Sequence, residues 1–252
     1  MEETKRRRFI IRAVLEGEVD VSEEPVPPVP QYVTSGLIHR WDAIDNTGSG
    51  HDGEAAVWKD LVGDYDLTLY GNVVWGDSYA AFDGVNTTYM KSDINKIEAP
   101  QGKTVEVVFE ASRTDTCTVA QLCYDQEQVS DAYGKIIIFS DNTVAVRGKA
   151  GNTYSTGESA VTDVRHIAGV YTDVPDIAAV YVNGVPAEVS SRTHSLQNTI
   201  SRMVIGGSLA GDNAILSYCL LGNVYAIRIY DRNLTAEEIA QNYAVDQERF
   251  GL

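Results

Sequence analysis

The chain has 252 residues, of which 44% are hydrophobic and 22% are charged, as in a folded globular protein rather than a disordered one. It carries 20 Lys and Arg against 36 Asp and Glu, so its formal net charge is −16. That charge repels nucleic acid and anionic membrane surfaces and argues against either as the main partner. No apolar run reaches the roughly 18 residues of a transmembrane helix, so no membrane span is expected.

The first 33 residues differ in composition from the rest. Residues 5–8 are basic, but Arg12 interrupts the apolar stretch that follows and acidic residues come next, so no signal peptide is predicted. Residues 22–33 hold four of the seven prolines, which favours an extended, semi-rigid spacer. We therefore predict an N-terminal attachment arm at 1–21, a Pro-rich linker at 22–33 and one domain at 34–252.

Within the domain the hydrophobic pattern has the period of β-strands. Val105, Val107 and Phe109 alternate with a second set that contains Glu106 and Glu110. The alternation predicts a strand with one buried face and with the two glutamates on a solvated face.

Further short strands are separated by turn signals. Asn183-Gly184 tolerates positive φ at both turn positions and predicts a hairpin after the strand at 178–182. Tyr225, Ile227 and Ile229 are expected to share one strand face. The other predicted strands are 136–139, 144–146, 166–171, 203–205, 218–221 and 224–230.

One helix is predicted at the C-terminal end. Thr235 and Glu238 have the spacing of a capping box, and Leu234 and Ile239 fit the hydrophobic staple that accompanies it. The pattern as a whole predicts an all-β fold: a two-sheet antiparallel jelly-roll sandwich with a short C-terminal helix. Cys117, Cys123 and Cys219 have no metal-site spacing and are expected to be reduced structural thiols.

Several segments resemble, in order, the concanavalin A-like lectin/glucanase superfamily in its laminin-G-like (LamG-like jelly roll) branch. They are GLIHRWDA at 36–43, WKDLVG at 58–63, AFDGV at 81–85, VEVVF at 105–109, YVNG at 181–184 and GNVYAIRIYDRNLTAEEI at 222–239. The last segment is the most specific. Trp41 and Trp58 lie in these motifs and are expected to pack in the core. The resemblance implies two antiparallel sheets packed face to face, and it constrains function only loosely.

The unsignalled acidic chain with a short arm looks most like a bacteriophage virion structural protein, such as a head fibre, tail or decoration protein. By this analogy the protein is made in the host cytoplasm and located in the virion. Its partners would be other virion proteins, bound through residues 1–33, and host-surface glycans, with no nucleic acid or membrane. Because head and tail fibres are often trimeric, a homotrimer is among the expected assemblies.

The chain is not expected to be an enzyme, and no catalytic residue is assigned. Glucanases of the superfamily use a Glu-x-Asp-x-(x)-Glu strand, whose period places the carboxylates in one sugar groove. Glu18, Asp20 and Glu23 match that spacing, but they precede the proline linker and lie outside the domain. A bacterial carbohydrate-binding or adhesion module and a glycoside hydrolase with an unfamiliar site are the alternatives.

Two loops contain oxygen ligands that suit calcium. The candidates are Asp42, Asp45, Asn46 and Asp52 in one loop and Asp83 in another. The alternative, which the Gly-rich composition favours, is a surface loop in which Asp and Asn serve turns. Aromatic side chains near predicted loops are candidates for stacking on sugar rings, with none preferred: Tyr70, Trp75, Tyr79, Tyr89, Tyr124, Tyr133 and Tyr154.

Overall fold

The computed structural model describes residues 31–92, 97–98, 103–112, 116–123, 135–138, 143–147, 153–159, 163–171, 178–188, 199–200, 202–209 and 216–252. The predicted arm and most of the predicted linker lie outside these residues. The domain boundaries therefore stay a prediction.

The described elements are twenty strands and two helical segments. The strands are β1 (Leu37–Asp42), β2 (Val57–Trp58), β3 (Leu67–Tyr70), β4 (Val74–Gly76), β5 (Tyr79–Asp83), β6 (Tyr89–Ser92), β7 (Ile97–Glu98), β8 (Lys103–Ala111), β9 (Cys117–Cys123), β10 (Lys135–Ile138), β11 (Thr143–Arg147), β12 (Thr153–Ser159), β13 (Arg165–Tyr171), β14 (Ala178–Val182), β15 (Val185–Pro186), β16 (Thr199–Ile200), β17 (Arg202–Ile205), β18 (Ser208–Leu209), β19 (Leu216–Ser217) and β20 (Leu221–Tyr230). A short 3-10 turn spans Ala43–Asp45, and helix α1 spans Ala236–Phe250.

Two eight-stranded antiparallel sheets form the body of the protein. The first has the order β15-β14-β13-β8-β20-β5-β4, with β1 also paired to β20. The second has the order β12-β11-β10-β9-β17-β6-β3-β2. Half of the strand pairs in these two sheets join strands that are not consecutive in the chain, as expected for a jelly roll. This arrangement confirms the predicted fold class.

The core lies between the two sheets. Val105, Val107 and Phe109 of β8 point into it, as their alternation predicts. Trp41 and Trp58 are fully buried in the same cluster, which confirms their expected role in packing. Cys117 and Cys219 are also buried, as expected of structural thiols, and the side chain of Cys123 lies outside the described set.

A β-bulge in β20 changes the predicted face of Tyr225. Val224 pairs with Phe109 and Ala226 pairs with Val108, so Tyr225 is the extra residue. The bulge places Val224 in the core with Ile227 and Ile229, whereas Tyr225 packs in a separate cluster on the other face. The prediction that Tyr225 shares a face with the two isoleucines is therefore wrong.

The predicted strand at 218–221 is also wrong for most of its length. Tyr218 has a φ of 55°, which is incompatible with a strand, and Leu220 is held by a hydrogen bond from its amide to the carbonyl of Gly206. Only Leu221 belongs to a strand, where it begins β20.

The predicted turn and helix cap are both present. Asn183 and Gly184 have φ values of 50° and 75° between β14 and β15, as the hairpin requires. At the start of α1 both hydrogen bonds of the capping box between Thr235 and Glu238 are formed. Leu234 and Ile239 are buried in one cluster, as expected for the staple.

Helix α1 and the chain entering the domain cover part of the outer face of the first sheet. Gln241 of α1 donates to the carbonyl oxygen of Gln31 (2.7 Å), and the amide of Val33 donates to Asn242 Oδ1 (2.8 Å). Residues 31–33, the end of the predicted linker, therefore pack against the domain.

This cover explains why the predicted exposure of Glu106 is wrong. Glu106 lies on the face of β8 opposite Val105 and Val107, the face that the alternation identifies as polar. Helix α1 packs over that face, so Glu106 is fully buried. Glu110 is only partly buried, and it accepts hydrogen bonds from Asn223 Nδ2 (3.1 Å) and the Tyr225 hydroxyl (3.3 Å).

Candidate functional site

The predicted calcium loop begins with a carboxylate that is already engaged. Asp42 ends β1, is buried, and caps the 3-10 turn by accepting a hydrogen bond from the amide of Ile44 (3.0 Å). Its other oxygen accepts from Arg249 Nη2 at 2.5 Å. Asp42 thus ties the loop to the last turn of α1.

The rest of the loop folds around its own polar side chains. Asp45 Oδ1 accepts from the amide of Gly50 (2.7 Å). Asn46 is buried and exchanges two hydrogen bonds of 2.8 Å with the backbone of Asp52. The carboxylate of Asp52 accepts from the amide of Glu54 (2.9 Å). These are the Asx-type contacts that the alternative interpretation of the loop expects.

The structure brings four of the calcium candidates into one loop and places the fifth elsewhere. Asp42, Asp45, Asn46 and Asp52 lie between β1 and β2, whereas Asp83 ends β5. In the described part of the chain, no three His, Cys, Asp or Glu side chains are grouped so as to hold a metal ion. Calcium binding by these five candidates stays a prediction.

A polar groove of about 550 Å³ opens beside this loop. Its lining combines two cations with several carboxylates: Arg40, Asp45, Thr47, Lys59, Asp64 and Asp66. Lys59 pairs with Asp66 at 2.5 Å, with both side chains partly exposed, so the pair adds little to stability. The groove offers both donors and acceptors to a polar ligand, but the described lining residues include no aromatic ring.

Asp60 forms the floor of this groove and organises it. Its carboxylate lies 2.5 Å from His39 Nδ1 and accepts from the amides of Arg40 (3.0 Å) and Tyr65 (3.1 Å). Burial by itself raises the pKa of Asp60, but the hydrogen bond with His39 and those from backbone amides outweigh it and lower the pKa. Asp60 is therefore an ionised structural acceptor.

A pair of tyrosines forms an aromatic platform on the second sheet. Tyr70 of β3 and Tyr89 of β6 are cross-strand partners, and their rings stack with centroids 4.7 Å apart and planes 11° from parallel. The ammonium of Lys91 lies 5.1 Å from the centroid of the Tyr70 ring. Tyr70 remains 37% exposed, so part of its side chain is accessible to solvent.

Polar groups continue directly from this platform into the adjoining turns. Asn72 Nδ2 donates to Asp83 Oδ2 (3.3 Å), and the amide of Val85 donates to Asp83 Oδ1 (3.0 Å). The amide of Asn72 donates to Thr88 Oγ1 (3.2 Å), and Thr88 is fixed one residue before Tyr89. The turns after β3 and β5 are thereby locked together beside the two rings.

A buried ionic cluster lies under α1 and is separate from these surfaces. Arg228 Nε donates to Glu106 Oε2 (2.7 Å), and its Nη1 donates to Asp246 Oδ1 (2.9 Å). His166 Nε2 lies 3.3 Å from Glu106 Oε1, and Asn242 Nδ2 donates to Glu106 Oε2 (2.9 Å). All five side chains are buried. The cluster ties α1 to β8 and β20 and, being buried, is not open to a saccharide.

Tyr32 closes the cluster from outside. Its hydroxyl donates to Asp246 Oδ1 (2.7 Å), and its ring lies 4.4 Å from the guanidinium carbon of Arg228. Burial raises the pKa of the Tyr32 hydroxyl well above its ordinary value, so it acts as a neutral donor. The segment that enters the domain is therefore fastened to its charged interior.

Sequence reasoning identified the components of the platform but missed the cluster. Their positions near predicted loops do not show that Tyr70 and Tyr89 stack, since stacking depends on the register of two strands. Two separate features of the sequence belong to this cluster. Glu106 alternates with valines in a predicted strand, and Asp246 follows the start of the predicted helix. No local pattern connects those two residues.

The fold and these surfaces define a class of protein: a lectin-like antiparallel sandwich. Residues 83–240, more than half of the chain, match the laminin-G-type family described as "Concanavalin A-like lectin/glucanases superfamily". The chain belongs to that family, which confirms the superfamily that its motifs resemble. No curated protein matches the sequence.

Solved structures with the same fold are distant in sequence. Trypanosoma rangeli sialidase with 2,3-difluorosialic acid has a TM-score of 0.65 at 16% identity, over 98% of this chain and 40% of the sialidase chain. The receptor-binding domain of botulinum neurotoxin C/D mosaic serotype has a TM-score of 0.57 at 12% identity, over 82% of this chain and 51% of that one.

A third structure, the native heptameric SAP-like pentraxin from Limulus polyphemus, has a TM-score of 0.52 at 16% identity, over 64% of this chain and 78% of the pentraxin chain. At these identities the comparisons show the fold alone. The chain also spans well under half of the sialidase that it matches.

Among the described residues, no helix is both long and apolar enough to cross a membrane.

Proposed function

We propose that the protein is a non-enzymatic structural and adhesion component of a bacteriophage virion, such as a head fibre, tail or decoration protein. Residues 1–33 attach it to other virion proteins, and the lectin-like domain faces outward and binds surface glycans. A homotrimer would let weak sugar sites act together.

The observation that carries this proposal is the way the chain enters the domain. Tyr32 and Val33 are bound to side chains of α1 and β20, and Tyr230 donates a hydrogen bond to the carbonyl oxygen of Val33 (3.1 Å). Such contacts fix the domain to the end of the proline-containing segment, which suits a domain that projects from the surface of a particle. The lectin-like fold suits recognition of a surface.

Most glycosidases use two carboxyl groups that face one open sugar groove, although sialidases use a tyrosine nucleophile. The two glutamates of β8 do not form such a pair, which supports a role without catalysis at that strand. Glu106 is enclosed in the ionic cluster, and Glu110 is bound by Asn223 and Tyr225. Glu18, Asp20 and Glu23 lie outside the described residues.

Attachment is tested by co-sedimentation with particles. The full-length protein and a variant that begins at Gln31 are produced separately in the phage host. Virions from each culture are purified on a gradient and probed for the protein. The full-length protein is expected in the particle fraction and the variant in the soluble fraction, with circular dichroism showing that both are folded. Absence of both from the particles, or equal recovery of both, would contradict attachment through the arm.

A bacterial carbohydrate-binding or adhesion module is the second candidate. The family supports it equally well, and one distant structure with this fold is a receptor-binding domain. Recovery of the protein on the surface of bacterial cells that release no particles would favour this candidate over the virion role.

A further inference from the structure

We propose that Tyr70, Tyr89, Asn72 and Asp83 form a binding site for an uncharged sugar ring. This inference rests on the proposed adhesive function and names the surface and the ligand class that serve it. For brevity the four residues are called the tyrosine site.

The exposed part of the stacked pair supplies an aromatic surface for a sugar ring. Each ring covers one face of the other, and the Lys91 ammonium lies 5.1 Å from the centroid of the Tyr70 ring, so the sugar packs on the part of the pair that stays exposed. One face of a pyranose carries several C–H groups, and these pack against exposed aromatic rings. Tyr70 and Tyr89 are 11° from parallel and directly opposite each other in the β3–β6 register, so they are oriented before any ligand arrives. Pre-orientation lowers the entropy lost on binding.

The backbone beside the rings is also fixed. Gly71 has a φ of +68°, and a Cβ at that position would lie 2.3 Å from the carbonyl oxygen of Thr87. Only glycine allows the turn after β3 to approach the turn after β5 this closely. The close approach places Asn72, two residues after Tyr70, against Asp83 and against Thr88, the residue before Tyr89.

Asn72 and Asp83 supply the polar part of the site. Both are exposed side chains. Asp83 accepts hydrogen bonds from the amide of Val85, from Asn72 and from the hydroxyl of Thr88. Because Asp83 is exposed, its carboxylate can also accept a hydrogen bond from a sugar hydroxyl. The loss of some water around its carboxylate raises the pKa of Asp83, but these hydrogen bonds outweigh that effect and lower the pKa, so Asp83 accepts as an anion.

The charge of the molecule selects an uncharged sugar over an acidic one. The chain carries a formal charge of −16, and in the site itself the negative charge of Asp83 accompanies the single positive charge of Lys91 beside the Tyr70 ring. The site thus has no excess of positive charge, and the net charge of the chain repels carboxylated or sulfated sugars. A protein partner would need about 800 Å² on each side for a stable interface, far more than two rings and the exposed Val85 provide.

Affinity electrophoresis of the full chain through gels that contain laminarin, galactan or mannan tests the inference. We expect at least one of these uncharged polysaccharides to retard the wild-type protein. Tyr70→Ala and Tyr89→Ala should weaken that interaction by about tenfold or more, because each removes a stacking face. Tyr70→Phe keeps the ring and should stay within about twofold of the wild type.

The matched control is Tyr218→Asn, which removes another exposed tyrosine at a left-handed position that asparagine tolerates. It should be retarded as strongly as the wild type, and thermal unfolding shows whether each variant is folded. If Tyr70→Ala binds as tightly as the wild type, or if Tyr218→Asn binds as weakly as Tyr70→Ala, the tyrosine site is overturned.

The tyrosine site and the proposed adhesive function can be contradicted by different results. Wild-type retardation that the tyrosine substitutions leave unchanged would overturn this site while leaving adhesion to glycans in place. If none of the three gels retards the wild type, the choice of an uncharged sugar is overturned, and co-sedimentation with virions decides the attachment role separately.

Discussion

Glu106 is held ionised inside the protein by the guanidinium of Arg228. Burial alone raises the pKa of Glu106, but the charge of Arg228 and the contact with His166 outweigh it and lower the pKa from 4.5 to about 2. A carboxyl group whose pKa is lower in the folded state stabilises the fold above its unfolded pKa. That contribution is lost as the pH falls from about 4.5 towards 2.

Glu106→Gln is therefore expected to destabilise the protein by about 3 kcal/mol at neutral pH, the order found when one partner of a buried ion pair is removed. It should also flatten the loss of stability between pH 4.5 and about 2. Urea unfolding at several pH values measures both effects. Glu110→Gln, on the same strand but partly exposed, is the control and should keep the acid dependence. An unchanged acid dependence in Glu106→Gln would contradict this role.

The sequence predicts single residues well when their environment is local. Trp41 and Trp58 are in the core as their motifs indicate. Glu106 is different, because alternation identifies the polar face of a strand but not what covers it. The cover comes from α1, more than a hundred residues later in the chain.

Helix α1 depends on its first turn for its start and on its buried face for its position. The Thr235 hydroxyl accepts from the amide of Glu238, and the Glu238 side chain accepts from the amide of Thr235. The helix then supplies Asn242 and Asp246 to the ionic cluster. A weaker cap therefore loosens an element that covers the first sheet.

Thr235→Ala should lower the free energy of unfolding by about 1 kcal/mol, the usual cost of losing an N-cap. Chemical denaturation with fluorescence detection measures the shift in midpoint. Thr34→Ala, at an exposed threonine before β1, serves as the control and should change stability by less than about 0.5 kcal/mol. Equal effects of the two substitutions would mean that the capping box does not hold the helix start.

At the scale of elements, turns and caps could be predicted because their signals are a few residues long. Asn183-Gly184 and Thr235 are examples. The bulge at Tyr225 could not be predicted, because it depends on how β20 fits against β8 and has no turn residue to mark it. For the same reason Tyr70 and Tyr89 were separate candidates in the sequence and form one platform only through the β3–β6 register.

The whole molecule is a sandwich whose first sheet is covered by both ends of the described chain. Residues 31–33 and α1 meet over β20, where Tyr32 closes the ionic cluster. Tyr32 and Val33 are therefore connected directly to the centre of the first sheet. That connection makes residues 31–33 part of what stabilises the domain.

Truncation tests this connection. A chain that begins at Gln31 should be as stable as the full-length protein, whereas one that begins at Thr34 loses Tyr32 and the buried Val33. The second truncation should cost on the order of 3 kcal/mol, from the lost apolar burial and hydrogen bonds. Thermal and urea unfolding of both chains measure the difference. Equal stability of the two would contradict the role of residues 31–33.

The central claim is that this lectin-like domain holds a saccharide without cleaving it. The most direct test incubates the full chain with laminarin, galactan and mannan and measures bound protein and released reducing ends in the same samples. We predict binding with no release of reducing ends above the level of a heat-denatured control. Release that a single carboxylate substitution abolishes would contradict the claim and identify the protein as a glycoside hydrolase.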